Sequence, residues 1–239
     1  MTVDRTNRPL LDPAEHVALA RSILSCPASV GLVVDGCPDA VLDDTVGMQD
    51  AGGTPTFSCP ADSPLAAAGQ ERRNVLLTLR SGLGEPGSPE RDHRLTLAGQ
   101  LRAHAAEACA CCDASRVRVT LEVDLTLLGT ETGEASVRVP SDALRSPVHH
   151  LNRGYLQRSA EHAGTSHQDE LRHAVATATG TPLPDVLGVT LRDLTTTGVH
   201  VHWVDVDGGH VARVEFPRAA RTPAELGELL RRELHSGLR

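Results

Sequence analysis

The chain has 239 residues, enough for one large domain or two modest ones with a core that needs no staples. Its net charge of −8 at pH 7 argues against duplex DNA as a partner, and all 23 basic residues are arginine, which excludes a lysine Schiff base and a lysine-dependent phosphate loop. The aromatic set is Phe57, Tyr155, Trp203 and Phe216, too sparse to stack single-stranded nucleic acid, and no apolar run has the length of a membrane span.

In chain order, MTVDRTNRPL lacks the continuous apolar stretch of a secretory signal, so the six cysteines read as free thiols of a reducing cytoplasm. DPAEHVALARSIL announces a first helix: Asp12 serves as N-cap, Pro13 as N1, and Glu15 completes a capping box. Short strands are expected at 29–34 (SVGLVV), near 40 (AVL) and near 56 (PTF), with QDAGGTP as turn material between them. SPLAAAGQ (63–70) suits a small helix and NVLLTLR (74–80) a strand, and SGLGEPGSPERD (81–92) reads as an exposed loop. HRLTLAGQLR (93–102) alternates like a half-buried strand, whereas RAHAAEACACCDAS reads as helical from its alanine content. RVRVTLEVDLTLLGT (116–130) is the clearest strand, with Val117, Val119, Leu121, Val123 and Leu125 expected on one face.

The β pattern stops around VPSDALRSPVHHLNRG. A helix is expected from Thr165 or Ser166 to Gly180, followed by strands at 186–194, 198–206 and 210–216, the last two joined through DGG. Thr222, Pro223 and Glu225 open a final helix that stops at HSG. The expected fold is α+β: a mainly β barrel over residues 1–145, then an α-β-β-β-α domain over 146–239.

Three histidines, His162, His167 and His173, crowd the stretch SAEHAGTSHQDELRHAV. Intervals of five and six stack neither neighbouring pair on one face of a continuous helix, which excludes a helix-borne zinc site of the H-E-x-x-H kind. His162 is expected before the helix and His167 in its first turn, where each is either an ordinary polar residue or a group able to face a large planar ligand. His200 and His202 share a strand face opposite Val199, Val201 and Trp203, the pattern of the wet side of a sheet. Cys26, Cys37 and Cys59 each precede proline, as in short haem-regulatory motifs; buried thiols at the ends of elements explain the same pattern. Cys109 and Cys112 would share a helix face near His104 but lack the second ligand pair that zinc needs. No nucleophile motif occurs, Glu122 and Asp124 read as solvent-facing, and the sequence names neither a catalytic residue nor a metal site.

Glu161, His162 and His167, in the order Glu-His, four residues, His, resemble the opening of the C-terminal domain of haem-utilisation proteins of the HugZ type. Arg213, Phe216 and Pro217 followed by TPAEL are similar to that domain's later signature. In that family the domain follows an FMN-binding split barrel of the pyridoxamine 5'-phosphate oxidase kind. The short helix, the run of strands, SPLA (63–66) and RLTLAG (94–99) resemble that barrel. The resemblance implies a haem-binding protein in haem trafficking, degradation or iron recovery, with His162, His167, His210 and His235 as cofactor contacts. It also implies a homodimer with ligand sites between subunits. An FMN-dependent oxidoreductase and a cofactor-free interaction module stay open beside it. FMN-holding relatives follow Leu-Ala with His-Thr-x-Asn, where this chain has AAGQERRNV with Arg72 and Arg73 as the basic groups.

Overall fold

The computed structural model describes residues 12–37, 46–108, 115–130, 133 and 136–236, with the backbone alone at 106–108, 235 and 236. The chain is α+β and divides into two compact units, residues 1–149 and 150–239.

Unit 1 opens with α1 (Pro13–Ser25), whose capping box forms as expected: Asp12 accepts from the Ala14 N–H, and Glu15 accepts from the Asp12 N–H at 3.0 Å. Its inner face of Val17, Ala20, Ile23 and Leu24 is buried. Cys26 caps the helix, and Pro27, which cannot extend it, begins β1 (Pro27–Val34). There follow β2 (Gly47–Ala51), β3 (Thr54–Pro60), α2 (Pro64–Gln70), β4 (Asn74–Ser81), β5 (His93–Ala108), β6 (Ser115–Thr130) and β7 (Val137–Arg138). Gln49, Asp50 and Ala51, expected in a turn, belong to β2, because the reversal needs only Gly52 and Gly53. The strand expected near residue 40 lies outside the described residues.

The strands form one curled antiparallel sheet in the order β1-β4-β5-β6-β3-β2, with β7 pairing the far end of β6. Phe57, Leu77, Leu79, Leu95, Leu97, Leu101 and Leu121 fill its inside, fully buried. Each such aliphatic side chain contributes roughly 1.5–3 kcal/mol on leaving water. The helix expected across 102–115 does not form over its described part, since 102–108 continue β5. Pairing with β6 over nearly the whole strand outweighs alanine's helix propensity. Cys109, Cys111 and Cys112 fall outside the described residues.

The expected single face of β6 is also corrected. Val117, Val119 and Leu121 are buried, but the pairing shifts between Ala98 and Gly99, and beyond it the buried positions are Thr126 and Leu128. Val123 and Leu125 are consequently only half-buried. One extra residue at a bulge reverses which side chains face inward. Gly99 sits opposite this shift, and a Cβ there would collide with the Glu122 carbonyl oxygen.

Unit 2 comprises α3 (Arg153–Ser166), α4 (Gln168–Thr179), β8 (Gly188–Arg192), β9 (Gly198–Asp205), β10 (Gly208–Glu215) and α5 (Pro223–Ser236). The three strands form an antiparallel sheet ordered β10-β9-β8. Val189, Leu191, Val199, Val201 and Val214 bury one face against Leu171, Val175, Leu226 and Leu229 of the helices. Gly180 ends α4 as expected, in the left-handed region at φ 73°, and the Thr222 hydroxyl caps α5 by accepting from the Glu225 N–H.

Candidate functional site

The AGTS segment at 163–166 controls the histidine cluster. It combines a glycine with hydroxyl side chains that bond back to the preceding turn: the Thr165 hydroxyl donates to the carbonyls of Glu161 and His162. Such back-bonding weakens a helix. The helical run therefore breaks at His167 (φ −125°, ψ 32°), and α4 starts at Gln168 instead of at Thr165 or Ser166. His162 lies inside α3 and not ahead of a helix. The break lets His162 and His167 meet edge to face with centroids 5.3 Å apart, a contact that a straight helix forbids at this spacing. Both are exposed, as is His173 six residues further on. His167 also lies 3.6 Å from Glu170, whose carboxyl is held below its usual range by its own backbone N–H and by His167.

Gln168, next to this junction, brackets the β8 edge. Its amide donates to the Val189 carbonyl and its oxygen accepts from the Val189 N–H. Together with three consecutive residues from each strand, 188–190, 202–204 and 209–211, it lines a groove of about 390 Å³. Register places Gly188, Val204 and Gly209 in one row across the sheet, then Thr190, His202 and Val211, then Arg192, His200 and Arg213. These nine side-chain positions lie on the face opposite the buried core, where Val204 is 49% and Val211 61% exposed.

At the hairpin end of the sheet, His210 stacks on Trp203 at 5.1 Å and 16°. Its Nε2 lies 2.9 Å from Asp205 Oδ1, an oxygen that also accepts from the N–H groups of Asp207 and Gly208. An ionised carboxylate only accepts, so Nε2 carries the proton and Nδ1 of a neutral His210 holds the lone pair. The bond from His210, followed by those backbone donors, keeps the Asp205 carboxyl below its usual range. Sequence reasoning passed over both this stack and the groove. The alternation around Trp203 placed the indole on the core side, but no short-range pattern reveals which partner from the next strand lies beside it.

His162, His167 and His210 all fall in unit 2, as two pairings: His162 with His167, and His210 with Trp203 and Asp205. His235 lies in the last turn of α5, and its side chain is not among the described ones. In unit 1 the basic groups considered for a flavin phosphate both contact carboxylates: Arg72 is 2.7 Å from Glu122, and Arg73 is 2.6 Å from Glu71. Cys26 and Cys59 are buried and Cys37 is half-buried; the Cys59 thiol donates to the Val117 carbonyl. Among the described residues no three His, Cys, Asp or Glu side chains converge as metal ligands, and no helix is long and apolar enough to cross a membrane.

No family model matches the chain, and no curated protein matches it. Among solved structures, a haem-binding protein from Mycobacterium smegmatis aligns over 97% of this chain and 98% of its own, at 17% identity and a TM-score of 0.39. A protein of unknown function from Agrobacterium tumefaciens aligns over 95% of this chain and 100% of its own, at 14% identity and a TM-score of 0.38. Both are likenesses across nearly the whole length, and at these scores neither assigns a ligand to this chain.

Proposed function

We propose that this chain is a haem-binding protein serving haem trafficking, degradation or iron recovery, with unit 1 as a split-barrel-like scaffold and unit 2 as the HugZ-type domain. The observation that carries the reading is the groove of unit 2, where His210 and Trp203 on one face of the sheet and His202 on the other border apolar residues, with Arg192 and Arg213 one row beyond His202. Haem asks for that donor set: a nitrogen ligand, an apolar slot and a cation for a propionate. Bound haem would supply a redox-active iron. The chain's part is to present a neutral imidazole, keep water from the ring, and hold the propionates. Asp205 already fixes the tautomer and orientation of His210 in the way outer carboxylates orient ligating histidines.

The test is a haemin titration of the full chain, followed by visible absorption, with His162→Ala, His167→Ala, His210→Ala and His235→Ala beside the wild type. A sharp, saturable Soret band supports the reading, and each variant shows whether that residue touches the cofactor. A broad signal that never saturates overturns it. A flavin spectrum in the purified protein replaces it with the FMN oxidoreductase. The proposed homodimer is checked on the same sample by light scattering, with and without haemin.

A further inference from the structure

The break at His167 sets two imidazoles side by side, and the way it is held decides what they can do. Gln168 fixes it from two directions. Its amide donates to the Gly164 carbonyl in α3 and to the Val189 carbonyl in β8, and its oxygen accepts from the Val189 N–H. The junction is thereby clamped to the sheet, so the rings that flank it have less freedom to lose on meeting a common ligand. Both side chains are exposed, so neither is a histidine kept for packing in the core.

Their separation has a chemical meaning. Two imidazoles on one tetrahedral metal ion, at metal–nitrogen distances of about 2.0–2.1 Å, have ring centroids roughly 5.2 Å apart. His162 and His167 already stand at 5.3 Å, with their planes at 83°. Rotation about the side-chain bonds, which solvent exposure permits, is enough to bring one nitrogen of each ring to a shared point. Partners for the other nitrogens are in place: Nδ1 of His162 lies 3.3 Å from the Ser166 hydroxyl, and Nδ1 of His167 lies 3.6 Å from the Glu170 carboxylate. A carboxylate only accepts, so it draws the proton of a neutral His167 to Nδ1 and leaves the lone pair on Nε2. Charge agrees with this. Asp169 and Glu170 stand in the first turn of α4 and offset the positive end of that helix. Arg172, the nearest arginine in the sequence, directs its donors to the carbonyls of Val186 and Leu183.

We propose that the α3–α4 junction binds a divalent transition-metal ion of the zinc class through His162 and His167, with Glu170 orienting His167 and water completing the shell. Imidazole suits zinc, nickel and copper, whereas magnesium and calcium ask for oxygen donors. No third protein donor converges there among the described residues, so this is an open, two-imidazole site. The ion ties α3 to α4 across the break and stabilises the fold in proportion to its binding. The site takes a bare ion and does not rest on the haem reading.

The experiment titrates zinc chloride into the chelator-treated full chain by calorimetry, and copper(II) under electron paramagnetic resonance, whose nitrogen splittings count the bound imidazoles. Wild type is compared with His162→Ala, His167→Ala, Glu170→Gln and, as a histidine outside the junction, His202→Ala, with circular dichroism confirming the fold. Wild type should take up one zinc ion saturably and show two bound imidazoles with copper. Because the second imidazole binds intramolecularly, His162→Ala and His167→Ala should each weaken zinc by about tenfold or more and leave one imidazole on copper. Glu170→Gln should weaken zinc by about tenfold, and His202→Ala should leave it unchanged. Zinc affinity unchanged in either His162→Ala or His167→Ala, an equal loss in His202→Ala, or no saturable one-to-one uptake by wild type overturns the proposal. Each of these outcomes leaves the haemin titration, and the reading it tests, where it stood.

Discussion

Arg21 offers a severe test of how unit 1 is held together. Its residue is 3% exposed, and its guanidinium forms an ion pair with Asp50, whose carboxylate is 9% exposed. Asp50 also accepts from the Ser25 hydroxyl and, at 2.7 Å, from the Gly53 N–H, so one carboxylate ties α1 to the β2–β3 turn. Burial pulls Arg21 down to about 10, which still leaves it charged at neutral pH. Its Nε has no hydrogen-bond partner, so most of its compensation comes through Asp50 and the Ser25 hydroxyl. Asp50→Ala therefore strands a buried cation, a change that costs about 3–5 kcal/mol. In a unit of this size that corresponds to a fall of roughly 6–20 °C in Tm, read by calorimetry on the full chain. Removing both charges in Arg21→Met/Asp50→Ala should recover most of the loss, because an apolar pair needs no counter-ion. A loss below about 1 kcal/mol for Asp50→Ala, or a double variant no better than the single one, would refute the argument.

Two further measurements probe other elements. Gly99→Ala drives a Cβ into the Glu122 carbonyl and should destabilise by about 1–3 kcal/mol, whereas Gly164→Ala, with open space around it in α3, should stabilise by about 0.5–1 kcal/mol; urea unfolding gives both signs. Asp205 titrates below the ordinary carboxylate value near 3.9, so its contribution is complete above that value and disappears as pH falls through the lower folded value. The Trp203 fluorescence should consequently change in acid as His210 is released, and Asp205→Asn should shift the spectrum toward that acid form at neutral pH and remove the transition.

Local chemistry made most elements legible in the sequence. The Asp12-Pro13-Glu15 cap, the Gly180 stop and the Thr222-Pro223-Glu225 cap act within one helical turn, and each appears where expected. The alternation of Val and Leu in β4, β5 and the first half of β6 likewise marks a half-buried sheet. Failures came where a distant segment decides. Arg102–Ala108 is strand because β6 lies beside it, and Val123 loses its inward place to a bulge set by the partner strand.

For the candidate site the division is sharper. Sequence spacing established that His162 and His167 cannot share a face of one helix, and that His200 and His202 face away from Val199 and Val201. Only the tertiary structure decided that a break at His167 joins the first pair. It alone placed Gly188 and Gly209 on either side of Val204, with His202 one row away and Arg192 and Arg213 one row beyond. The reason is physical: a cap or an alternation is set by hydrogen bonds and side-chain directions a few residues apart, whereas the neighbours across a sheet are set by register, which depends on the whole packed unit.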